Sequence, residues 1–227
     1  MAVSNIPKHI AIIPDGNRRW AKQHNKSSAF GHAKGYQRIQ DCITYAREVE
    51  VSVITVWAFS TENWKRTQDE VGELMSLIVK GLSKVHRDAK KEKTRVVHIG
   101  RRDRLGSKLT KLIDTIEEET KNYKGFTLCL AIDYGGEDEM MRAESRKQKA
   151  ESRSQELIQY LDTEVHKLPN PDLIIRTGGE KRTSGFMPLQ SSYAEWVFEE
   201  KLFPDFDIET FQKNIDVYKN RVRRFGK

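Results

Sequence analysis

Asp15 stands between Pro14 and Gly16 and is followed by Asn17, Arg18 and Arg19, directly after the apolar run Ile10 to Ile13. A carboxylate, an amide and two guanidiniums in consecutive positions suit capture of an anion together with its cation. Pro14 ends a strand and Gly16 permits a tight turn. The backbone N–H groups of Gly16 to Arg19 then open a helix, where geometry and dipole both favour negative charge. Asp15 is of the type that ligates Mg²⁺, which takes one or two carboxylates plus substrate phosphates. An ordinary Asp-Gly turn with a capping role is the plainer alternative.

Two further constellations carry chemistry. In "WAFSTENWKR", Trp57 to Arg66, an apolar strand runs into Ser60, Thr61, Glu62 and Asn63, with Trp64 and Arg66 just beyond. These polar groups either touch a ligand or cap a turn, and Trp57 and Phe59 read equally well as core. In "RTGGEKRTSGF", Arg176 and Arg182 bracket a Gly-Gly turn and Ser184 follows. Paired arginines beside a flexible turn suit bidentate capture of phosphate oxygens. A GxxxxGK[ST] loop is absent, which excludes a Walker-type nucleotide site. Glu195 follows in "SSYAEWVF"; it either completes a metal site begun by Asp15 or pairs with an arginine.

The elements that must position these groups alternate. His9 to Ile13, Val51 to Phe59, Arg95 to Ile99, Phe126 to Ile132, Asp172 to Ile175 and Ala194 to Phe198 read as strands. Between them lie helical stripes: Ile39, Ile43, Ala46 and Val49; Val71 through Val85; Leu105 through Ile116. Such stripes pack a core or line a tunnel for an apolar ligand, and spacing alone does not separate the two. Met140 to Gln159 is a charged, helix-forming run, read as a solvated helix or a connector. Strands alternating with helices predict a mostly parallel sheet covered on both faces, with ligands beyond the strands' C-terminal ends. Asp15, Ser60 and Arg176 all follow strands and so converge on one sheet edge.

Composition narrows the class. The chain has 227 residues, 32% of them charged, and a formal net charge of +7. This suits one large domain with anionic partners. Cys42 and Cys129 lack a CxxC spacing, so they read as buried reduced thiols. Neither a signal-peptide pattern nor a membrane-length apolar run is visible, and a cytoplasmic protein is the expectation. No nucleic-acid motif accompanies the basic charge, so nucleic acid is not an expected partner.

The segments "HIAIIPDGNRRWA", "FGHAKG", "WAFSTENWKR", "DYGG", "IIRTGGEKRTSGF", "SSYAEWVF" and "PDF" stand in fixed order. In order and spacing the chain resembles the cis-prenyltransferases, the undecaprenyl diphosphate synthase-like enzymes. The likeness is least around Met140 to Lys167. The DDxxD motif of the all-helical prenyltransferases is absent. The resemblance implies an α/β fold with one catalytic domain over residues 1–227, a mostly parallel central sheet flanked by helices, and an apolar substrate tunnel. It implies a Mg²⁺-dependent condensation of isopentenyl diphosphate with an allylic diphosphate, giving a Z-polyprenyl diphosphate and releasing diphosphate. The tunnel would be lined by the helix carrying Leu74, Ile78 and Leu82.

Roles follow from the matched positions. Asp15 and Asn17 match the catalytic pair, and Asp15 and Glu195 the metal-linked carboxylates. Gly16, Asn17, Arg18, Arg19, Trp20, His32 and Arg66 match the allylic diphosphate pocket; Arg176, Arg182 and Ser184 match the isopentenyl diphosphate site. Phe59, Ser60, Asn63 and Trp64 match other active-site positions. Arg224 and Gly226 match an RxG motif that reaches across a homodimer interface. A lipid product also implies peripheral membrane contact. The chain departs from the family pattern at Ser28, where arginine is common, and at Arg18, where glycine is frequent. Asp133, Glu137, Gly185 and Pro188 depart as well. Arg18 is in a position to compensate for Ser28. The alternative, a non-catalytic accessory subunit, typically lacks the aspartate and substrate arginines present here.

Overall fold

All residues of His9–Ile13 are buried, because this strand has a neighbour along each edge and a packed layer on each face. A computed structural model describes residues 6–150 and 156–221. The strands are β1 (His9–Ile13), β2 (Val53–Ser60), β3 (Arg95–Ile99), β4 (Thr127–Tyr134), β5 (Leu173–Arg176) and β6 (Glu195–Phe198). The helices are α1 (Asn17–Gln23), α2 (Ser28–Glu48), α3 (Gln68–Lys91), α4 (Ser107–Thr120), α5 (Gly136–Lys149), α6 (Asp162–Val165) and α7 (Ile208–Lys219). One six-stranded sheet runs in the order β3-β4-β2-β1-β5-β6, and each pairing in it is parallel. The expected α/β architecture is therefore present.

Alternation along β1 feeds two cores. Ile10 and Ile12 join the larger cluster with Ile43 of α2, Leu82 of α3, Ile113 of α4 and Phe211 of α7. Ala11 and Ile13 face the opposite layer, closed by Leu168, Phe186 and Met187. Successive strand side chains point to opposite faces, so a strand buried on both reads as a continuous apolar run. Cys42 and Cys129 are buried free thiols, one in each cluster, and burial pushes the Cys129 thiol up to about 12.

Strand boundaries differ from the sequence reading where pairing decides them. β4 continues to Tyr134 because Tyr134 pairs with Ser60 across register shifts on both sides of Phe59. Part of the charged run after Met140 lies in α5, which buries Ala143. Caps delimit the long helices: Ser27 accepts from the Phe30 N–H at the start of α2, and Thr67 from Glu70 at the start of α3.

The second face is held by a buried polar network. Glu139 of α5 accepts from the Tyr134 hydroxyl at 2.6 Å, from Gln190 Nε2 at 2.9 Å and from the Asp162 N–H at 2.8 Å. Asp162 accepts from Arg142 at 2.7 Å, from Arg146 at 2.6 Å and from the Gly100 N–H at 2.9 Å. Burial alone would raise the Asp162 pKa, but its two guanidiniums outweigh burial and hold it below the usual carboxylate value.

Replacing Asp162 by alanine removes the buried acceptor shared by Arg142 Nη1, Arg146 Nη2 and the Gly100 N–H. Asp162→Ala should cost about 3–5 kcal/mol of stability near neutral pH, read by urea unfolding. Because the folded-state pKa is depressed, that contribution is present above the ordinary 3.8 and fades as the pH falls below it.

Candidate active site

Three loops meet beyond the C-terminal ends of β1, β2 and β5. Ile13 sits beside Arg176 in the β1–β5 register, so the turn after β1 faces the last residue of β5. Arg176 is only 5% exposed. Its Nη1 donates to the Arg182 carbonyl at 2.6 Å and to Ser184 Oγ at 2.7 Å, and its Nη2 donates to Asp15 Oδ2 at 3.0 Å. Asp15 Oδ1 accepts the Gly16 N–H at 2.7 Å. The Asp15 side chain keeps 33% of its surface exposed and lies 3.6 Å from Arg19. Its backbone is pinned as well: the Asp15 carbonyl accepts from Thr177 Oγ1 at 2.8 Å and from the Phe203 N–H at 3.1 Å.

Gly16 caps α1 with φ of 105°, in the left-handed region. A Cβ there would also strike Leu202. Asn17 opens α1 and donates Nδ2 to the Pro14 carbonyl at 2.9 Å. Asn17 Oδ1 and Arg176 Nε are buried without protein hydrogen-bond partners. Gly35 of α2 packs against Asn17 Oδ1 and has no room for a side chain.

Three cavities surround this point. A polar one of about 490 Å³ is lined by Asp15, Asn17, Ser60, Asn63, Arg66 and Arg176 among others. A second, of about 400 Å³, carries Arg18, Ser28, Arg66, Glu70 and Lys80. The third, about 100 Å³, is walled by Tyr36, Ile39 and Ile43 of α2 and by Leu74, Ile78 and Leu82 of α3. His32 and Leu74 line all of them. Burial, reinforced by Arg66 and Arg18, lowers the His32 pKa to about 4. Burial and Arg18 likewise lower that of Arg66. Arg18 meets Glu70 at 3.5 Å. The site is thus a patch of guanidiniums, partly balanced by Asp15, Glu70 and Glu180, opening onto an apolar slot.

Several expected site residues have their side chains engaged with other partners. Trp20 is buried, donates its indole N–H to Asp205 at 2.7 Å and stacks on His24 at 4.0 Å. Phe59 is core, edge-on to Trp64 at 5.2 Å. Arg182 is 62% exposed and pairs with Glu180 at 2.5 Å, contributing its carbonyl rather than its guanidinium to Arg176. Glu195 begins β6 opposite Leu173, at the other end of β5 from Arg176. It pairs with Arg221, and the chain does not bring it to Asp15. Among the described residues no cluster of His, Cys, Asp and Glu holds a metal unaided. Asp15, an accessible carboxylate beside the polar cavity, still fits Mg²⁺, which draws its other ligands from phosphates and water. Arg224 and Gly226 lie outside the described residues.

Reading the sequence alone named His32 and the stripe through Ile39 and Ile43 but missed Tyr36 and the balancing acids. Tyr36 continues the helical period of His32, Ile39 and Ile43 on one face, and that period is the signal for it. Glu70 and Glu180 gave none, since acids at a helix start or in a loop are usually solvated.

The profile of the family described as "Putative undecaprenyl diphosphate synthase" matches residues 13–226. An isoprenyl transferase of Fusobacterium nucleatum is 43% identical over 225 residues, covering 98% of this chain and 96% of that protein. The isoprenyl transferase of Aquifex pyrophilus is 42% identical over 224 residues, with coverage of 98% and 96%. The crystal structure of lavandulyl diphosphate synthase from Lavandula x intermedia, in complex with dimethylallyl diphosphate, superposes with a TM-score of 0.92 at 32% identity, covering 99% of this chain and 100% of that one. A "probable undecaprenyl diphosphate synthase" from Campylobacter jejuni gives a TM-score of 0.82 at 35% identity, with coverage of 97% and 99%.

The electrostatics generate a direct test. His32 should remain neutral down to about pH 5 in the ligand-free protein, followed by ¹H–¹⁵N correlation of its ring nitrogens. A midpoint near the ordinary 6.5 would contradict the burial and cationic surroundings described.

Proposed function

The chain belongs to the undecaprenyl diphosphate synthase family of prenyl transferases, enzymes that condense isopentenyl diphosphate with an allylic diphosphate, and from that premise we propose how its residues divide the work. The observation that carries the reading is one shared wall. His32 and Leu74 line both a polar cavity holding Asp15, Asn17 and Arg176 and an apolar slot between α2 and α3. A diphosphate with a hydrocarbon tail needs both at once.

Arg176, with the Ser184 hydroxyl and the exposed guanidinium of Arg182, binds isopentenyl diphosphate. Arg18, Arg19 and Arg66, with the backbone around Gly16, bind the allylic diphosphate. Asp15 would hold Mg²⁺, which when bound supplies positive charge to the departing diphosphate. The guanidiniums are oriented beforehand, so charge developing on the leaving group is stabilised without reorganisation. The allylic C–O bond breaks, the isopentenyl double bond attacks the allylic carbon, and a proton leaves as the new cis double bond forms. Asn17 acts beside the reacting carbons: its Oδ1 has no protein partner and its residue lines both cavities. Side-by-side binding supplies proximity. The growing tail enters the slot walled by Leu74, Ile78 and Leu82.

Arg18 and Ser28 line one cavity. This supports Arg18 as the cation that serves in place of the arginine common at position 28. The proposed working form is a homodimer in the cytoplasm, with peripheral membrane contact through its lipid product. β6 is a sheet edge with half-buried Trp196 and Phe198, and Tyr193 beside it is 75% exposed. Among the described residues no helix is long and apolar enough to cross a membrane.

Two experiments test this reading. With Mg²⁺, labelled isopentenyl diphosphate and a panel of allylic diphosphates, the protein should yield extractable prenyl product. Asp15→Ala should lower turnover by roughly 100-fold or more. Arg18→Gly should raise the KM for the allylic substrate by about tenfold, and adding Ser28→Arg should recover most of it. Absence of product with every primer would overturn the enzymatic reading. Sedimentation velocity should give a dimer, and Trp196→Glu should shift it to monomer; a monomeric parent would refute that assembly.

A further inference from the structure

The C-terminal end of β4 holds a buried carboxylate that does not line the cavity. Asp133 is fully buried and takes φ of 53°. Its Oδ1 accepts from the Trp64 indole N–H at 2.9 Å and from Arg104 Nη2 at 2.5 Å; its Oδ2 accepts from Arg104 Nε at 2.9 Å. The Arg104 guanidinium also lies 5.7 Å from the Trp64 ring centre. The Asp133 carbonyl accepts from the Arg101 N–H at 3.0 Å. Gly100, at φ of 117°, packs so closely on that carbonyl that no side chain fits. The end of β4, the loop after β3 and the short helix after β2 are therefore tied at one carboxylate.

The tie matters because of what Trp64 belongs to. It lies in the 3₁₀ helix Thr61–Lys65, and Ser60, Glu62, Asn63 and Arg66 of this segment line the polar cavity. The strand leading into it cannot aim it alone, since the β2–β4 ladder shifts register on both sides of Phe59. A bidentate guanidinium–carboxylate pair has one favoured orientation. A buried carboxylate cannot leave it without becoming an unpaired charge. The indole, hydrogen-bonded to the acid and faced by the cation, is held accordingly.

We propose that Asp133 and Arg104 are positioning residues for the transferase reaction: acting through Trp64, they fix the angle at which Ser60, Asn63 and Arg66 face the diphosphates. The role rests on the reading of the polar cavity as the substrate site. Asp133 and Arg104 do not line that cavity themselves; their effect is on the segment that does.

The test is a double-mutant cycle of Arg104→Gln and Asp133→Asn in the full chain, with two readouts. Hydrogen exchange by mass spectrometry follows the peptide spanning residues 60–66. Steady-state kinetics use isopentenyl diphosphate with dimethylallyl or farnesyl diphosphate. Arg104→Gln leaves the acid unpaired and should speed exchange at 60–66 and lower kcat/KM roughly 10- to 100-fold. Asp133→Asn keeps an acceptor for Trp64 and removes the stranded charge. The double variant should therefore recover most of the loss, the non-additivity expected of residues in contact. A lower Tm with exchange at 60–66 and kcat/KM both within about twofold of the parent would overturn the proposal, as would effects that simply add. If Arg104→Gln does not fold, Asp133→Asn alone decides by the same two readouts. If the parent makes no prenyl product, the transferase reading fails, and the exchange data still decide the tie: faster exchange supports it, unchanged exchange refutes it.

Discussion

A guanidinium sealed at the end of β5 sets the terms for everything around it. Arg176 has little contact with water, and a buried charge is costly unless its partners are close and well oriented. Those partners come from two places: Asp15 from the turn after β1, and the Arg182 carbonyl and Ser184 hydroxyl from the loop after β5. The parallel register that sets Ile13 beside Arg176 is what brings the first within reach. Gly178, at φ of 87°, takes the left-handed conformation that favours glycine and passes close to the Asp15 carbonyl. The two loops behave as one unit, and a phosphate arriving there meets charges already oriented.

The second organising feature is the abrupt change from polar to apolar at His32 and Leu74. A prenyl diphosphate is charged at one end and hydrocarbon along the rest, and α2 supplies both surroundings from one face. His32 lies at the boundary and is neutral because it is buried beside Arg66 and Arg18. A neutral imidazole there adds no charge to a region that must also accept a hydrocarbon. Farther along the same face, Tyr36, Ile39 and Ile43 meet Leu74, Ile78 and Leu82 of α3. Tyr36 lies over Gly81 and donates to its carbonyl at 3.2 Å, so the slot's width depends on how closely these two helices approach.

Much of this was legible in the residues. The buried strands announced themselves as β-branched runs, and the motifs at Asp15, Ser60 and Arg176 each followed one. Their convergence on one sheet edge required only that the sheet be parallel. Other assignments depended on partners no local pattern reveals. Trp20 looks like a site residue by position, yet its indole is committed to Asp205. Arg182 looks like a phosphate ligand, yet its guanidinium pairs with Glu180 while its carbonyl serves Arg176. Asp133, a departure from the family pattern, makes sense only once Arg104 and Trp64 are seen to share its carboxylate.

Taken alone, the sequence determined which segments become strands and helices and which chemical groups follow them, because hydrophobic period and turn chemistry are local properties. Tertiary structure decided which of those groups act together. Strand register and helix docking join residues far apart in the chain, and burial turns a side chain's charge into a demand for a particular partner. That is why Asp15 finds Arg176 while Glu195, on the same sheet, ends at the opposite edge beside Arg221.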